Sequence, residues 1–171
     1  MDNTQKNNQP AFYMIGDIIN LIDHHFKQKV ELRVYNTKND KIIGQCDFAV
    51  NGEHRATLCY IAVEPPFMRK HIGTSLIEVM HFYLAQNGVT SVNGFFAPDP
   101  YYKWPAEAFY RKNNYAIVCD ELLLRKITKE DLEKQHNVLW RTTTLKPKAK
   151  LMPLEEITVN NQEENQFMEI V

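Results

Sequence analysis

A short basic turn between an apolar run and a helix is the part of this sequence best suited to bind an anion. The turn reads Arg69-Lys70-His71 and follows two prolines that end the apolar run. The first N–H groups of a helix have no partner within it, and the helix dipole is positive there. Gly73 would let a phosphate approach the backbone closely. The sequence therefore predicts an anion site, the alternative being an ordinary strand-to-helix junction with a solvated basic turn.

Two common nucleotide-binding motifs are absent from the chain. There is no G-x-x-x-x-G-K-[ST] sequence, which argues against a phosphate loop of the Walker type. None of the six glycines is spaced as G-x-G, so the dinucleotide fingerprint is missing as well.

Local signals define the elements that would position this turn. The apolar run from Leu58 to Val63 predicts a buried strand that starts near Arg55, after a hairpin signal at Asn51-Gly52. The helix behind the turn ends at Asn87-Gly88, and a further strand is predicted from Val89 to Ala97. Two strands joined through a helix run parallel with a right-handed crossover.

The remaining elements are predicted from hydrophobic periodicity. Apolar residues at helical spacing predict an amphipathic helix from Ala11 to Phe26. Alternating residues predict strands around Val30 to Tyr35 and Ile42 to Val50. A short helix is predicted from Pro105 to Asn113. The segments Tyr115 to Cys119 and Leu122 to Ile127 could form either one long strand or a hairpin.

Composition predicts one globular domain in a reducing compartment. The chain has 171 residues, of which 44% are hydrophobic and 24% charged. Its net charge of −1 argues against a nucleic acid as partner. The three cysteines form no C-x-x-C motif, which favours free thiols in a reducing compartment. No apolar stretch reaches the roughly 18 to 20 residues that span a bilayer. The sequence therefore predicts a cytoplasmic protein with no membrane partner. We expect a flexible N-terminus (1–10), a domain (11–140) and a C-terminal extension (141–171) that is acidic and flexible at its end.

Two stretches together resemble the GNAT superfamily, the acetyl-CoA-dependent N-acetyltransferases. Val63-Glu64-Pro65 and the turn that follows resemble the acyl-CoA-binding segment of that family, although Met68 replaces the usual Gln or Arg and His71 replaces the first Gly. Residues 105–115 are similar to a later helix that reads Ala-x-x-x-Tyr-x-x-x-Gly-Phe. Ala106, Tyr110 and Tyr115 fall on its matching positions, and the resemblance covers about residues 30 to 127.

The resemblance implies an α/β (α+β) fold: a mixed, mostly antiparallel twisted sheet flanked by helices, with a parallel splay between the fourth and fifth strands. It implies an enzyme that moves an acetyl group from acetyl-CoA, its co-substrate, to a primary amine by direct attack, with no metal. The acceptor would be a small molecule or a protein. The implied cofactor-binding residues are Ile61, Ala62 and Val63 for the pantetheine arm and Arg69, Lys70, His71, Ile72, Gly73 and Thr74 for the pyrophosphate.

The resemblance also implies a general acid but leaves the base open. Tyr110 matches the residue that would protonate the sulfur of CoA and would also contact the cofactor. Thr57 stands where some members of the family have a catalytic Glu, so the base candidates are Glu53, Glu64, His54 and Asp99, or a water chain.

The acceptor-binding wall is predicted from an aromatic loop. Tyr102 and Trp104, with Tyr101, lie beside Asp99 and would suit a cationic amine, with the corner Asp23-His24-His25 opposite. The alternative is that the aromatic side chains only cover the sheet edge. A second reading of the whole chain is a catalytically silent acyl-CoA sensor or scaffold. The sequence leaves the oligomeric state open, with a homodimer among the alternatives.

Overall fold

The computed structural model describes residues 11–21 and 25–133, and the backbone of residues 148–151. The strands are β1 (Phe12–Asn20), β2 (Phe26–Asn36), β3 (Ile42–Asn51), β4 (Arg55–Val63), β5 (Ser91–Phe95), β6 (Ala116–Val118), β7 (Leu122–Lys126) and β8 (Lys148–Leu151). The α-helices are α1 (Ile72–Gln86), α2 (Lys103–Lys112) and α3 (Glu130–Glu133). Short 3-10 turns occupy Pro65–Phe67 and Pro100–Tyr102.

All eight strands form one mixed sheet in the order β6-β7-β5-β4-β3-β2-β1-β8. Most neighbours are antiparallel, and β4 and β5 are parallel. The predicted fold class, including the parallel pair formed by the fourth and fifth strands, is confirmed. A second parallel pair, between β1 and β8, was not expected from the sequence.

The N-terminal segment is a strand, so the prediction of a helix from Ala11 to Phe26 is wrong. Its apolar residues fit a helical repeat, but isoleucine side chains branch at Cβ and favour strands. β1 pairs with β2 along its whole length, from Phe12 opposite Asn36 to Asn20 opposite Gln28. Cross-strand pairing therefore decided between two patterns that the sequence alone does not separate.

The two C-terminal strand candidates form a hairpin. β6 and β7 are antiparallel, and the turn between them contains Cys119 and Asp120 with φ angles of 53° and 55°. Two successive residues with positive φ match the twist of a tight hairpin, which resolves the choice between one long strand and two.

The hydrophobic core lies between the sheet and α1, which packs against β3 and β4. Helix and sheet come very close at Gly44, where a Cβ atom would stand 2.9 Å from Cγ2 of Ile72. Ile72 is the first residue of α1, and the basic turn lies immediately before it. The start of α1 therefore packs directly on β3.

Several predictions fall on residues outside the described part of the chain. These are the prediction that residues 1–10 are flexible, the predictions for most of the extension 141–171, and the roles of Asp23 and His24 in the proposed acceptor corner. Within the extension, the backbone of 148–151 adds β8 to the edge of the sheet beside β1. No helix in the described part has the length and apolar character needed to cross a membrane.

Candidate functional site

The parallel strands β4 and β5 separate partway along their length. Their ladder runs from Arg55 opposite Ser91 to Leu58 opposite Gly94 and ends there. β4 continues to Val63 while it remains paired with β3 on its other side. The edge of Cys59 to Val63 that faces β5 therefore has no ladder partner. Backbone groups along such an edge can bond an extended ligand that carries amides.

A bulge in β4 lies where this gap opens, and β5 stays paired with β7 there. Asp47 pairs with Tyr60 and Phe48 with Leu58, so Cys59 is an extra residue on β4. A bulge bends the strand that contains it. Beyond Gly94, β5 keeps its ladder with β7, and the N–H of Phe96 donates to the carbonyl of Glu121. The two strands therefore diverge toward the basic turn.

The turn itself presents unpaired amides in an irregular backbone. Arg69 and His71 both have φ of 62°, the left-handed region that is uncommon for residues other than glycine. His71 stands at the family's first glycine and is the N-cap of α1. The first helical bond runs from the N–H of Ser75 to the carbonyl of His71, so the amides of Ile72, Gly73 and Thr74 precede it. Such a cluster of N–H groups forms an anion-binding concavity.

Charge at the turn is positive. Arg69 and Lys70 are exposed, and no described carboxylate forms an ion pair with either. The ammonium of Lys70 lies 5.4 Å from the centre of the Phe67 ring, which holds its chain over the turn. The first turn of α1 contains no acidic residue. The predicted cofactor-binding residues Arg69 to Thr74 are thus contiguous at one end of the gap, and Ile61 to Val63 line its β4 edge.

Gly73 also brings two helices together. A Cβ atom at this position would stand 3.3 Å from Cε2 of Phe109 on α2 and 3.8 Å from Cγ2 of Val63. The glycine therefore allows α2 to approach the start of α1 at the end of β4.

Tyr110 of α2 is 2% exposed and lies among other rings. Its ring centre is 6.0 Å from that of Phe96, 5.3 Å from that of Phe109 and 5.7 Å from that of Tyr115. Burial, with a smaller effect of Cys46, raises the pKa of Tyr110 far above that of a free phenol. Because its pKa is raised, the hydroxyl is protonated near neutral pH and can act as a hydrogen-bond donor.

The two predicted catalytic carboxylates lie at opposite ends of β4. Glu64 directly follows β4 where the gap opens, and its side chain is exposed. Glu53 lies in the turn before β4. At about 3.3 Å per residue, β4 separates the two ends by about 26 Å. The structure therefore does not bring Glu53, or the neighbouring His54, to the gap.

The aromatic loop follows β5 on the other side of the gap and is open to solvent. Trp104 is 86% exposed and Tyr102 is partly exposed. The carboxylate of Asp99 accepts a hydrogen bond of 2.9 Å from the N–H of Tyr101 and caps the 3-10 turn. Trp104 therefore does not serve as a buried cover for the sheet.

The sequence analysis did not single out three residues beside the gap. Tyr60 lies opposite Asp47 on the sheet face away from α1, and the bulge residue Cys59 lies near them. Burial raises the pKa of the Cys59 thiol to about 11. Asp47 forms an ion pair with Arg33 of β2. Strict alternation along β3 indicates the face of Asp47, but no local signal indicates the bulge.

An open groove of about 1100 Å³ lies at the opposite end of β5, next to Ser91, Lys126 and α3. None of the predicted site residues lines it. In the described part of the chain, no group of three or more His, Cys, Asp or Glu side chains is placed to hold a metal ion.

Comparison with known proteins agrees with this geometry. The sequence profile described as an acetyltransferase (GNAT) domain matches residues 31–117. No curated protein sequence matches the chain significantly.

Solved acetyltransferases share the fold at low identity. PaiA N-acetyltransferase from Thermoplasma acidophilum, in complex with coenzyme A, is 16% identical over 58% of this chain and 61% of that chain, with a TM-score of 0.50. An acetyltransferase of the GNAT family from Staphylococcus aureus is 12% identical over 58% and 69%, with a TM-score of 0.52. Because the matching profile covers slightly more than half of the 171 residues, the chain belongs to the GNAT family of acetyltransferases, enzymes that transfer an acyl group from acyl-CoA.

Proposed function

We propose that this protein transfers an acetyl group from acetyl-CoA to a primary amine of a small molecule or a protein by direct attack. The observation that carries the proposal is the end of the β4–β5 ladder at Leu58 and Gly94, with the cationic turn at the end of the same strand. A gap with a free strand edge and an anion site at one end matches a ligand with an amide-containing arm and a pyrophosphate.

In this proposal the cofactor lies along β4. The edge of Ile61, Ala62 and Val63 bonds the amides of the pantetheine arm, as an added strand would. The pyrophosphate contacts the amides of Ile72, Gly73 and Thr74, with Arg69, Lys70 and His71 around it. The thioester is then placed near the bulge at Cys59, where the strands begin to diverge.

The reaction forms one C–N bond and breaks one C–S bond. A neutral amine attacks the thioester carbonyl, the amine nitrogen loses a proton, and the CoA thiolate leaves and gains one. Tyr110 donates a hydrogen bond to the sulfur. Because its pKa is far above the roughly 8.5 of a thiol, it stabilises the thiolate as a donor, and solvent completes the protonation.

The base acts at the acceptor side of the gap. Glu64 directly follows β4 and is exposed, but it lies five residues beyond Cys59, about 17 Å along an extended strand. It therefore takes the amine proton through a chain of water molecules. The proposal does not assign the base to Glu53, because Glu53 precedes β4 at the end where the β4–β5 ladder is closed. The variant Glu64→Gln tests the assignment through the dependence of kcat/KM on pH. If Glu64 is the base, the fall of kcat/KM at low pH should disappear in the variant.

The amine acceptor contacts the aromatic loop. Trp104 and Tyr102 present ring faces to solvent, and Asp99 adds a carboxylate that would favour a cationic amine. Trp104→Ala should raise KM for the acceptor and leave the affinity for acetyl-CoA unchanged. An unchanged acceptor KM would remove the loop from the acceptor site.

One contact favours the silent alternative, a module that binds acyl-CoA without turnover. The hydroxyl of Thr57, which stands where some relatives have a catalytic Glu, donates to Oδ1 of Asn93 at 2.9 Å. That position therefore supplies no base. Release of free CoA with any amine of a panel distinguishes an enzyme from a sensor.

The first experiment is thermal unfolding with and without acetyl-CoA at about 100 times the Kd measured by titration, where specific binding adds about 2.7 kcal/mol. The variant Arg69→Ala/Lys70→Ala should lose most of the shift. The matched control Lys38→Ala/Lys41→Ala removes the same charge from an exposed turn, and its thermal shift with acetyl-CoA should equal that of the wild type. Equal shifts in both variants would refute the site. A cytoplasmic location and a homodimer stay predictions.

A further inference from the structure

A buried hydrogen bond connects α1 with Tyr115, which lies three residues beyond the end of α2. Nε2 of His81 lies 2.7 Å from the hydroxyl oxygen of Tyr115, and each residue is 3% exposed. A buried polar group is costly unless it has a partner. Each side chain therefore satisfies the other and fixes its orientation. At this position the related helix pattern ends in Phe, so the Tyr115 hydroxyl is a feature of this chain.

The ring of Tyr115 supports Tyr110. The two ring centres are 5.7 Å apart at an angle of 72°, an edge-on contact. The N–H of Tyr115 also donates to the carbonyl of Tyr110 at 3.0 Å. Phe96 and Phe109 complete the surroundings of Tyr110, but only Tyr115 among these rings connects it to α1 through a side-chain hydrogen bond.

A second set of bonds holds the end of α2 in place. Nε of Arg125 on β7 donates to the carbonyl of Asn113 at 2.8 Å. The same guanidinium forms two bonds of 2.9 and 3.0 Å with the carboxylate of Asp131 on α3. The segment between Tyr110 and Tyr115 is thus attached to β7 and, through Arg125, to α3, while His81 attaches it to α1.

We propose that Tyr115, through its hydrogen bond to His81, is a positioning residue that sets the distance between the Tyr110 hydroxyl and the cofactor turn at the start of α1. The inference rests on the proposed role of Tyr110. His81 lies on α1, which the turn directly precedes, and Tyr115 lies three residues beyond the end of α2, which contains Tyr110. The bond therefore fixes the donor relative to the bound thioester.

The test is Tyr115→Phe, which keeps the ring and removes only the hydroxyl. The assay is CoA release with whichever polyamine, aminoglycoside or lysine peptide reacts fastest with the wild type. We expect kcat to fall about tenfold, as for a small misplacement of a catalytic group, with KM for acetyl-CoA within about twofold of the wild type. The control Tyr83→Phe removes another hydroxyl from α1, one that bonds Oε1 of Gln28 at 2.9 Å, and should keep kcat.

The double variant Tyr110→Phe/Tyr115→Phe separates positioning from a loss of stability. If Tyr115 acts through Tyr110, its replacement should not lower kcat further once the Tyr110 hydroxyl is gone. The inference is overturned if Tyr115→Phe lowers kcat by the same factor in the wild type and in Tyr110→Phe. It is also overturned if Tyr115→Phe alone keeps the wild-type kcat. A wild-type kcat for Tyr110→Phe instead overturns the role of Tyr110 as hydrogen-bond donor to the CoA sulfur in the proposed function, and the inference with it. If no amine of the panel releases CoA, both fail.

Discussion

Gly94 and Leu58 form the last pair of the β4–β5 ladder, and a Cβ atom at position 94 would stand 3.2 Å from the carbonyl oxygen of Leu58. This close approach occurs at the point where the strands begin to diverge. The neighbouring atom is backbone in a paired strand, so it cannot move aside as the end of a side chain can. Position 94 therefore couples the stability of the sheet to the shape of the gap.

Gly94→Ala should lower the free energy of unfolding by about 1 kcal/mol and weaken acetyl-CoA binding, because the strands must shift where the cofactor enters. Denaturant unfolding and calorimetric titration measure the two effects. Gly52→Ala is the matched control, since its Cβ would meet only the flexible end of Lys27. Equal stability and equal acetyl-CoA affinity in the two variants would show that the close approach of position 94 to the Leu58 carbonyl affects neither property.

Strain at His71 can be measured with two substitutions. The residue has φ of 62° and ψ of 16°, a conformation that glycine adopts freely and alanine does not. His71→Gly should therefore be about 1 kcal/mol more stable than His71→Ala in denaturant unfolding, although both lose the same imidazole. Equal stabilities would contradict the left-handed backbone at the N-cap of α1.

The three thiols should differ widely in reactivity. Cys119 is exposed in the β6–β7 turn, whereas Cys46 and Cys59 are shielded and burial raises the pKa of both, that of Cys59 to about 11. Near neutral pH the Cys59 thiol is therefore protonated, and the thiol is far less nucleophilic than the thiolate. Mass spectrometry after iodoacetamide treatment of the native protein should find modification at Cys119 first, and none after Cys119→Ser over the same time. Rapid modification of Cys59 would indicate that β4 opens readily.

The ion pair of Arg125 and Asp131 should make stability depend on pH. Burial alone would raise the pKa of Asp131, but bonds from Arg125 and from the N–H of Thr128, with the Arg125 charge, hold it below its usual range. A carboxylate whose pKa is lowered on folding stabilises the protein above its unfolded pKa of about 3.9, and this contribution is lost as pH falls through the lowered value.

Asp131→Asn should therefore cost about 3 kcal/mol at pH 7, because the side chains of Arg125 and Asp131 are only 7% and 4% exposed. The difference from the wild type should shrink below about pH 4 in urea titrations. Asp120→Asn, in the exposed β6–β7 turn, should change little at either pH. A penalty for Asp131→Asn that stays constant down to pH 2 would refute the charge-based account.

Local signals in the sequence were sufficient to predict the strand, turn and helix of the proposed cofactor site. The two prolines end the apolar run at Val63, the basic turn and Gly73 precede α1, and Asn87-Gly88 ends that helix. These signals act within a few residues of one another, through fixed proline φ angles and unpaired helix amides, so they do not depend on the rest of the chain.

Only the tertiary structure decided how these parts meet. The pairing of β1 with β2 overrode a helical repeat. The gap opens at the bulge at Cys59, just beyond the end of the β4–β5 ladder at Gly94, and the length of β4 places Glu53 away from it. The bond between His81 and Tyr115 joins residues 34 positions apart. Such features depend on the register and packing between distant segments. Hydrophobic periodicity shows which face of a strand or helix is buried, but it does not show which segment packs against that face.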